Sequence, residues 1–297
     1  MQKHIARLLI AFGALTAAHP FENVASFQDP AGRAAAVLAD ARKALGGEER
    51  LREIRTLHAA GGYRRSMGEM QMDGELELMI ERPDRLRREE AIGMPGGATL
   101  VRTEVLNGAD AWEDSSQRGG MGGHMRMILR GPGGREMSEE ELKEVRGRAR
   151  RMELTRYLAA LLLTTDAPVS HAGVAEAPDG TADVLEITPA EGPPMRLFID
   201  RQTRRPLMLT WRGPQPRIMT RRGPEGPPPD AAQRAPEMDV RPPVDVTFEM
   251  RLDDHRPVDG INLPHQITRA VEGSVNEEWT VKTYRINTSF KNSTFTR

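Results

Sequence analysis

The densest group of acid–base or metal-ligating side chains in the sequence lies in one short segment, RLDDHRPVDG. It places Asp253, Asp254, His255 and Asp259 close together in the chain. Carboxylates and an imidazole at this spacing could transfer protons or bind a metal ion. The segment lies between two predicted strands, however, where a turn needs Asp and Gly for its backbone conformation. We therefore interpret it as a polar hairpin, and a hydrolase or metal enzyme built on it is the least favoured hypothesis.

A second group combines soft sulfur ligands with one imidazole. Met121, His124, Met125 and Met127 lie in a glycine-rich stretch and could ligate copper in an oxidising compartment. No cysteine or second histidine supports them, so a pliant lid or adhesive loop is the favoured interpretation. The sequence also has no G-x-S-x-G, H-E-x-x-H or phosphate-binding P-loop motif. We accordingly predict a protein that is not an enzyme and has no catalytic residues, metal site or cofactor.

The composition excludes further classes of protein. A net charge of −1 over 297 residues argues against nucleic-acid binding, which requires a basic surplus. The absence of cysteine excludes disulfides, zinc fingers, thiol catalysis and lipid attachment through an N-terminal cysteine. With 28 glycines and 22 prolines, the chain is expected to form many turns and short strands rather than a helical bundle.

Residues 1–26 have the features of a secretory signal peptide. Lys3 and Arg7 supply positive charge, and an apolar stretch follows from Leu8 to Ala18. The stretch is too short to span a bilayer comfortably, and small residues at its end and at 24–26 offer cleavage sites. We predict a periplasmic protein that is exported by a cleavable signal, is not a lipoprotein and has no transmembrane helix.

Residues 27–297 are predicted to form a single domain of the α+β class. Asp29-Pro30 begins a first helix and Gly46-Gly47 ends it. A second helix begins at the capping box Ser138–Glu141. Most other segments alternate apolar and polar residues, and Asn107-Gly108 predicts a tight hairpin between two of them. The pattern predicts an antiparallel sheet of about ten short strands that curls around two helices.

Two irregular insertions interrupt this pattern. Residues 115–137 are rich in glycine, methionine and arginine, and residues 213–243 are rich in proline. Their arginines, such as Arg126 and Arg217, could contact an anionic membrane surface or an acidic envelope protein.

Inward-facing apolar side chains on the strands and the second helix are the candidate ligand-binding residues. The pattern alone leaves open a packed core or a cavity, because both need the same apolar faces. The candidates are Leu76, Leu78, Ile80, Leu158, Leu161, Leu162, Leu197, Ile199, Leu209, Trp211, Phe248 and Trp279.

Short signatures along the chain occur in a characteristic order, namely Ala44–Gly47, Glu81–Arg87, Leu197–Thr203, Asp259–Pro264 and Arg285–Phe290. In this order the chain resembles the periplasmic outer-membrane lipoprotein-carrier superfamily, the LolA-like proteins, from residue 30 to residue 297. The resemblance implies a strongly curved, unclosed antiparallel half-barrel with two helices across its concave face. It also implies that an acyl chain or a partner's apolar segment is held between the sheet and the helices.

The favoured hypothesis is therefore a non-enzymatic periplasmic binding protein that holds a lipid, acyl chain or lipidated protein in an apolar cavity. Its role would lie in outer-membrane lipoprotein or lipid trafficking. The alternative is a periplasmic sensor or interaction module that binds a protein partner through its basic and proline-rich insertions.

Overall fold

The computed structural model describes residues 29–67, 70–94, 96–119, 137–178, 180–215 and 244–297. The predicted signal peptide and the Met121–Met127 group lie outside these residues, as do most of both predicted insertions. Among the described residues, no helix is long and apolar enough to cross a membrane.

The described residues form three α-helices, namely α1 (Pro30–Leu45), α2 (Glu48–Glu53) and α3 (Glu139–Leu162). The carboxylate of Asp29 caps α1 by accepting a hydrogen bond from the backbone N–H of Ala31. Ser138 and Glu141 form the predicted capping box of α3, in which each side chain accepts the other residue's backbone N–H. The C-terminal half of α3 is buried, which agrees with its apolar sequence.

Twelve strands form one antiparallel sheet that is strongly curved and not closed. Their bounds are β1 (Thr56–Met67), β2 (Met70–Glu81), β3 (Arg85–Gly93), β4 (Thr99–Asn107), β5 (Asp110–Arg118), β6 (Val169–Ala177), β7 (Gly180–Ile187), β8 (Met195–Asp200), β9 (Pro206–Pro214), β10 (Asp245–Val258), β11 (Ile261–Val271) and β12 (Ser274–Ile286). The spatial order is β5-β4-β3-β2-β1-β12-β11-β10-β9-β8-β7-β6. The first and last strands are thus paired at the centre of the sheet, and β5 and β6 form its edges.

The predicted α+β class and curved antiparallel sheet are confirmed, with differences in detail. The sheet has more strands than predicted because β6 has few β-branched residues and a register shift between His171 and Gly173, which hide its alternation. Glu48–Glu53 forms a short helix where the sequence analysis expected a turn. Strands β5 and β9 also extend into the predicted insertions, to Arg118 and Pro214.

One hydrophobic core lies between the concave face of the sheet and the helices. Helix α1 packs mainly on β6, and α3 crosses β3, β4, β5 and β9. On the opposite, convex face, the C-terminal segment packs against the strands. There the Trp112 Nε1–H donates to the carbonyl oxygen of Phe295, whose own side chain is buried. The concave face therefore faces the two long helices, and the convex face is partly covered by the chain end.

Candidate ligand-binding face

All twelve predicted ligand-binding residues lie in the single core cluster between the sheet and the helices. Ten of them are buried, and Leu158 and Phe248 are partly buried. Strand register explains this clustering, because Leu78 pairs with Ala59 of β1 and Leu197 pairs with both Leu185 and Leu209. Alternate residues of neighbouring strands therefore share the concave face. Ligand binding by these residues is still a prediction.

Aromatic rings and one cation pack together where α3 crosses β9 and β10. Trp211 and Phe248 stack with ring centroids 5.6 Å apart, and the Arg156 guanidinium lies 4.2 Å from the Trp211 ring centroid. Burial lowers the pKa of Arg156, although Glu153 lies 3.6 Å away.

A small pocket adjoins this group and has an empty volume of about 160 Å³. Its lining residues are Met152, Thr155, Arg156, Pro189, Glu191, Pro193 and Met195. This space is partly open to solvent and has no room for a water-sized molecule, so an acyl chain could enter here only if α3 moved away from the sheet.

The concave face also holds a network of buried ion pairs, which we call the ionic belt. It joins α3 to six strands of the sheet, namely β5, β4, β3, β1, β12 and β11. Its members are Arg65, Arg88, Glu90, Arg102, Glu104, Glu113, Arg269 and Glu277 on the sheet, and Arg150, Glu153 and Arg156 on α3. Six arginines thus face five glutamates, which leaves a surplus of one positive charge. The interior beneath α3 is therefore amphipathic rather than purely apolar.

Glu277 at the centre of the ionic belt accepts hydrogen bonds from two strands. Arg65 of β1 and Arg88 of β3 each donate to it over 2.8 Å. The Arg88 side chain is only 7% exposed, and a buried charge of this kind is costly unless it is paired. Although burial acts to raise the pKa of Glu277, the charges of Arg88, Arg269 and Arg65 hold it well below its usual range.

Two contacts of the ionic belt fasten α3 to the sheet. Arg269 of β11 donates to the carboxylate of Glu153 and, over 2.7 Å, to the hydroxyl oxygen of Tyr157. Arg150 of α3 donates to Glu104 of β4. Burial acts to raise the pKa of Glu153, but Arg269 and its neighbours lower that pKa to about 2. Burial raises the pKa of Tyr157 to about 12, so at neutral pH Glu153 is ionised and Tyr157 is protonated.

The sequence analysis did not identify the ionic belt. A signal was nevertheless present in β3, where Leu86, Arg88, Glu90 and Ile92 alternate with the outward-facing residues. All four therefore occupy the core face. Opposite charges at successive positions of a core face predict buried pairing. Their partners Arg65, Glu104 and Glu277 lie on β1, β4 and β12 and could not be identified from the pattern.

The turn interpretation is confirmed only for Asp259, which lies between β10 and β11, whereas Asp253, Asp254 and His255 lie within β10 because this strand extends to Val258. Asp254 pairs with Arg256 on its own strand. His255 is largely buried, and this burial, together with Arg205, lowers its pKa to about 4. Among the described residues, no group of three or more His, Asp or Glu side chains could hold a metal ion.

Most arginines of the two basic insertions, including Arg126 and Arg217, lie outside the described residues. Two arginines at their borders are described. Arg118 ends β5, and Arg212 of β9 donates to the backbone carbonyl of Asp245. A membrane or protein contact through the insertions is therefore still a prediction.

Comparison with known proteins finds similarity at the level of three-dimensional structure. The chain is similar to a LolA superfamily protein from Nitrosomonas europaea, with 11% identity, coverage of 89% of this chain and 97% of the other, and a TM-score of 0.49. It is also similar to a DUF1329 family protein from Desulfovibrio piger, with 10% identity, coverage of 90% and 98%, and a TM-score of 0.44.

No family model matches the sequence, and no curated protein matches it either. The solved structures that are similar to this chain include a LolA superfamily protein, the group that the sequence signatures resemble. Identities of this size indicate similarity of fold alone, so the function has to be inferred from the residues of this chain.

Proposed function

We propose that this chain is a non-enzymatic periplasmic binding protein. It takes up a lipid, an acyl chain or a lipidated protein between its curved sheet and α3. The observation that carries the proposal is the continuous apolar cluster on the concave face of an unclosed sheet, covered by a helix that is fastened by ion pairs.

Helix α3 has the properties of a lid. Its buried C-terminal half covers the apolar cluster, whereas Arg150 and Glu153 connect it to the sheet through charged contacts. Ion pairs can separate and be hydrated when a lid opens, and they re-form when it closes. The helix could thus rise to admit a chain-like ligand without unfolding the sheet.

Tryptophan quenching by a brominated phospholipid tests where such a ligand binds. Trp211 and Trp279 lie in the apolar cluster, whereas Trp112 lies on the convex face and serves as an internal control. Three variants, each retaining one tryptophan with the others changed to Phe, would separate the signals. We expect saturable quenching at positions 211 and 279 and none at position 112. Equal quenching of all three, or no quenching, would contradict binding on the concave face.

Substitutions on one face of α3 test the role of the predicted site. Leu158 is a partly buried member of the apolar cluster, and Val145 on the same helix is exposed. Leu158→Gln should weaken phospholipid uptake by about tenfold, since burying a polar amide in an apolar site costs about 1–3 kcal/mol. Val145→Gln should bind as the unmodified protein does. Circular dichroism melting of both variants separates lost binding from lost folding.

Native mass spectrometry of the protein purified from a periplasmic fraction tests localisation and cargo together. The expected mass is that of a chain without residues 1–26, carrying a stoichiometric adduct that organic extraction identifies as lipid. A chain that retains the leader would contradict cleavage of the predicted signal. A bare mass, together with absence of quenching by brominated lipid, would instead favour the alternative of a module that binds a protein partner.

A further inference from the structure

We propose that Arg33, Arg201 and Arg204 form a binding site for a phosphoryl-type anion beside the β6 edge of the sheet. The three guanidinium groups converge on one buried carboxylate, that of Asp183 in β7. We call this group the arginine cluster. It shares no residue with the ionic belt or the twelve apolar candidates, so the proposal does not depend on the proposed function.

The turn between β8 and β9 positions two of the three arginines. This turn begins with the last three residues of the signature Leu197–Thr203, which contributes to the LolA-like resemblance. The Asp200 carboxylate accepts the backbone N–H groups of Gln202 and Thr203, and the backbone N–H of Arg204 donates to the Asp200 carbonyl over 2.9 Å. The carboxylate of Asp200 is thus used to shape the turn.

The third arginine comes from the first turns of α1, which packs on β6. Arg33 and Asp40 lie seven residues apart, about two helical turns, so both project from one side of this helix. Asp40 lies 3.9 Å from Arg204, and Arg33 lies 3.7 Å from Asp183. The cluster is therefore built where the helix and the turn approach the same strand.

The hydrogen bonds of Asp183 do not involve the guanidinium groups of Arg33 and Arg201. The carboxylate is buried and makes its short contact with His171, over 3.0 Å, while Arg204 donates to it over 3.4 Å. Arg33 and Arg201, at 3.7 and 3.6 Å, lie beyond normal hydrogen-bond distance. Their N–H groups are thus available to another acceptor.

Charge and exposure also favour an anionic ligand. The ion pairs of the cluster join three guanidinium groups to two carboxylates, those of Asp183 and Asp40. The side chains of Arg33, Arg201 and Arg204 are 42%, 46% and 39% exposed, so a ligand in solution can reach them.

Geometry selects a phosphoryl group over a carboxylate. Each guanidinium offers a planar fork of N–H donors that matches the oxygens of a phosphate. Three forks that approach from a helix and a turn can each engage a different oxygen of a tetrahedral anion. A ligand carboxylate has only two oxygens and would leave one fork without a partner.

Isothermal titration calorimetry with inorganic phosphate tests this site in the mature protein. We expect saturable one-to-one binding that is weakened at least about tenfold in Arg201→Gln, since a charge-assisted hydrogen bond contributes about 1.5–3 kcal/mol. Arg201→Lys should weaken binding as well, because it keeps the charge but loses the fork. The matched control is Arg64→Gln, which removes an exposed arginine that pairs with Asp73 on another part of the sheet.

Absence of saturable phosphate binding, or equal binding by Arg201→Gln and Arg64→Gln, would overturn the proposal. Arg201 is half exposed and lies outside hydrogen-bond distance of Asp183, so its substitution is expected to leave folding intact. Cooperative thermal melting checks this. If Arg201→Gln melts non-cooperatively, the comparison of Arg201→Lys with Arg64→Gln decides the result instead.

Vesicles identify the source of the phosphoryl group. Phosphatidylcholine vesicles with and without phosphatidylglycerol are compared by flotation, using the unmodified protein and Arg201→Gln. Binding that requires phosphatidylglycerol and Arg201 identifies a lipid headgroup as the ligand. Phosphate binding without vesicle binding identifies a soluble phosphate compound, and supports the same site. The brominated-lipid experiment tests binding on the concave face, whereas these experiments test the arginine cluster. Failure of one proposal therefore does not imply failure of the other.

Discussion

Replacement of Arg269 by methionine provides a direct test of the ionic belt. This residue donates to Glu153 and to the Tyr157 hydroxyl, and it lies 3.9 Å from Glu277. Methionine keeps much of the apolar stem of arginine but removes the charge. Arg269→Met therefore leaves Glu153, whose side chain is 8% exposed, without its closest cation.

The expected loss of stability is about 3 kcal/mol or more at neutral pH. The pKa of Glu153 falls from its usual 4.5 to about 2, which corresponds to about 3 kcal/mol of favourable interaction with the surrounding cations. Arg269 makes the largest of these attractive contributions. Removal of one partner from a buried ion pair typically costs about 3–5 kcal/mol, which is a consistent magnitude.

The pH dependence supplies a second signature of the same contact. In the unmodified protein, the folded-state pKa of Glu153 is lowered, so its contribution to stability is complete above about pH 4.5 and is lost as the pH falls towards 2. In Arg269→Met, loss of the strongest of these cations should raise this pKa, although Arg88 and Arg156 stay nearby. The variant then gains stability relative to the unmodified protein as the pH falls from 7 to 4.

Urea unfolding at pH 7 and pH 4, followed by circular dichroism, measures both effects. The matched control is Arg196→Met, which breaks the half-exposed pair of Arg196 and Glu186 on neighbouring strands. Such surface pairs contribute about 0–1 kcal/mol. The reasoning is refuted if Arg269→Met costs no more than Arg196→Met, or if its cost is the same at both pH values.

Three further predictions concern backbone geometry, burial and capping. Gly61→Ala should cost about 3 kcal/mol or more in urea unfolding, because its Cβ would lie 2.0 Å from the Thr280 carbonyl oxygen. A Cβ at Gly62 would contact only the end of the Lys282 side chain, at 3.9 Å, so Gly62→Ala should cost less than about 1 kcal/mol. Similar costs for the two variants would contradict this account. The His255 imidazole should titrate near pH 4 in an NMR titration, since burial lowers its pKa; a midpoint near 6.5 would show that it is solvated. Finally, Ser138→Ala should reduce the free energy of unfolding by about 1 kcal/mol because α3 loses its N-cap, and an unchanged value would mean that this end of the helix contributes no stability.

Local patterns predicted the elements of this fold well. The capping box at Ser138–Glu141 and the hairpin predicted at Asn107-Gly108 are both present, with the hairpin turn at Gly108 and Ala109, because each depends on residues within a few positions of one another. Period-two alternation likewise placed Leu78 and Leu197 on the core face. These features follow from backbone chemistry and from burial of one sheet face, which short segments of sequence encode.

The charged contacts of the interior could not be predicted in the same way. Arg88 and Glu277 are 189 residues apart, and their pairing depends on the meeting of β3, β1 and β12. An isolated arginine in a strand is also more often solvated than buried, so composition alone favours the surface. The arginine cluster was equally hidden, because α1 supplies one of its members and a distant turn supplies two.

The pairing of β1 with β12 has a consequence for how the chain reaches its native state. Every other strand pairs only with strands adjacent to it in sequence, so each half of the sheet can form from local hairpins. The central pairing of β1 with β12 instead joins Leu57 to Ile286. Its formation closes a loop that contains almost all of the described residues. Because non-local pairing is slow, we expect this ladder to limit the folding rate. Arg65 and Glu277 face each other across it, so this ion pair forms only when the two halves meet.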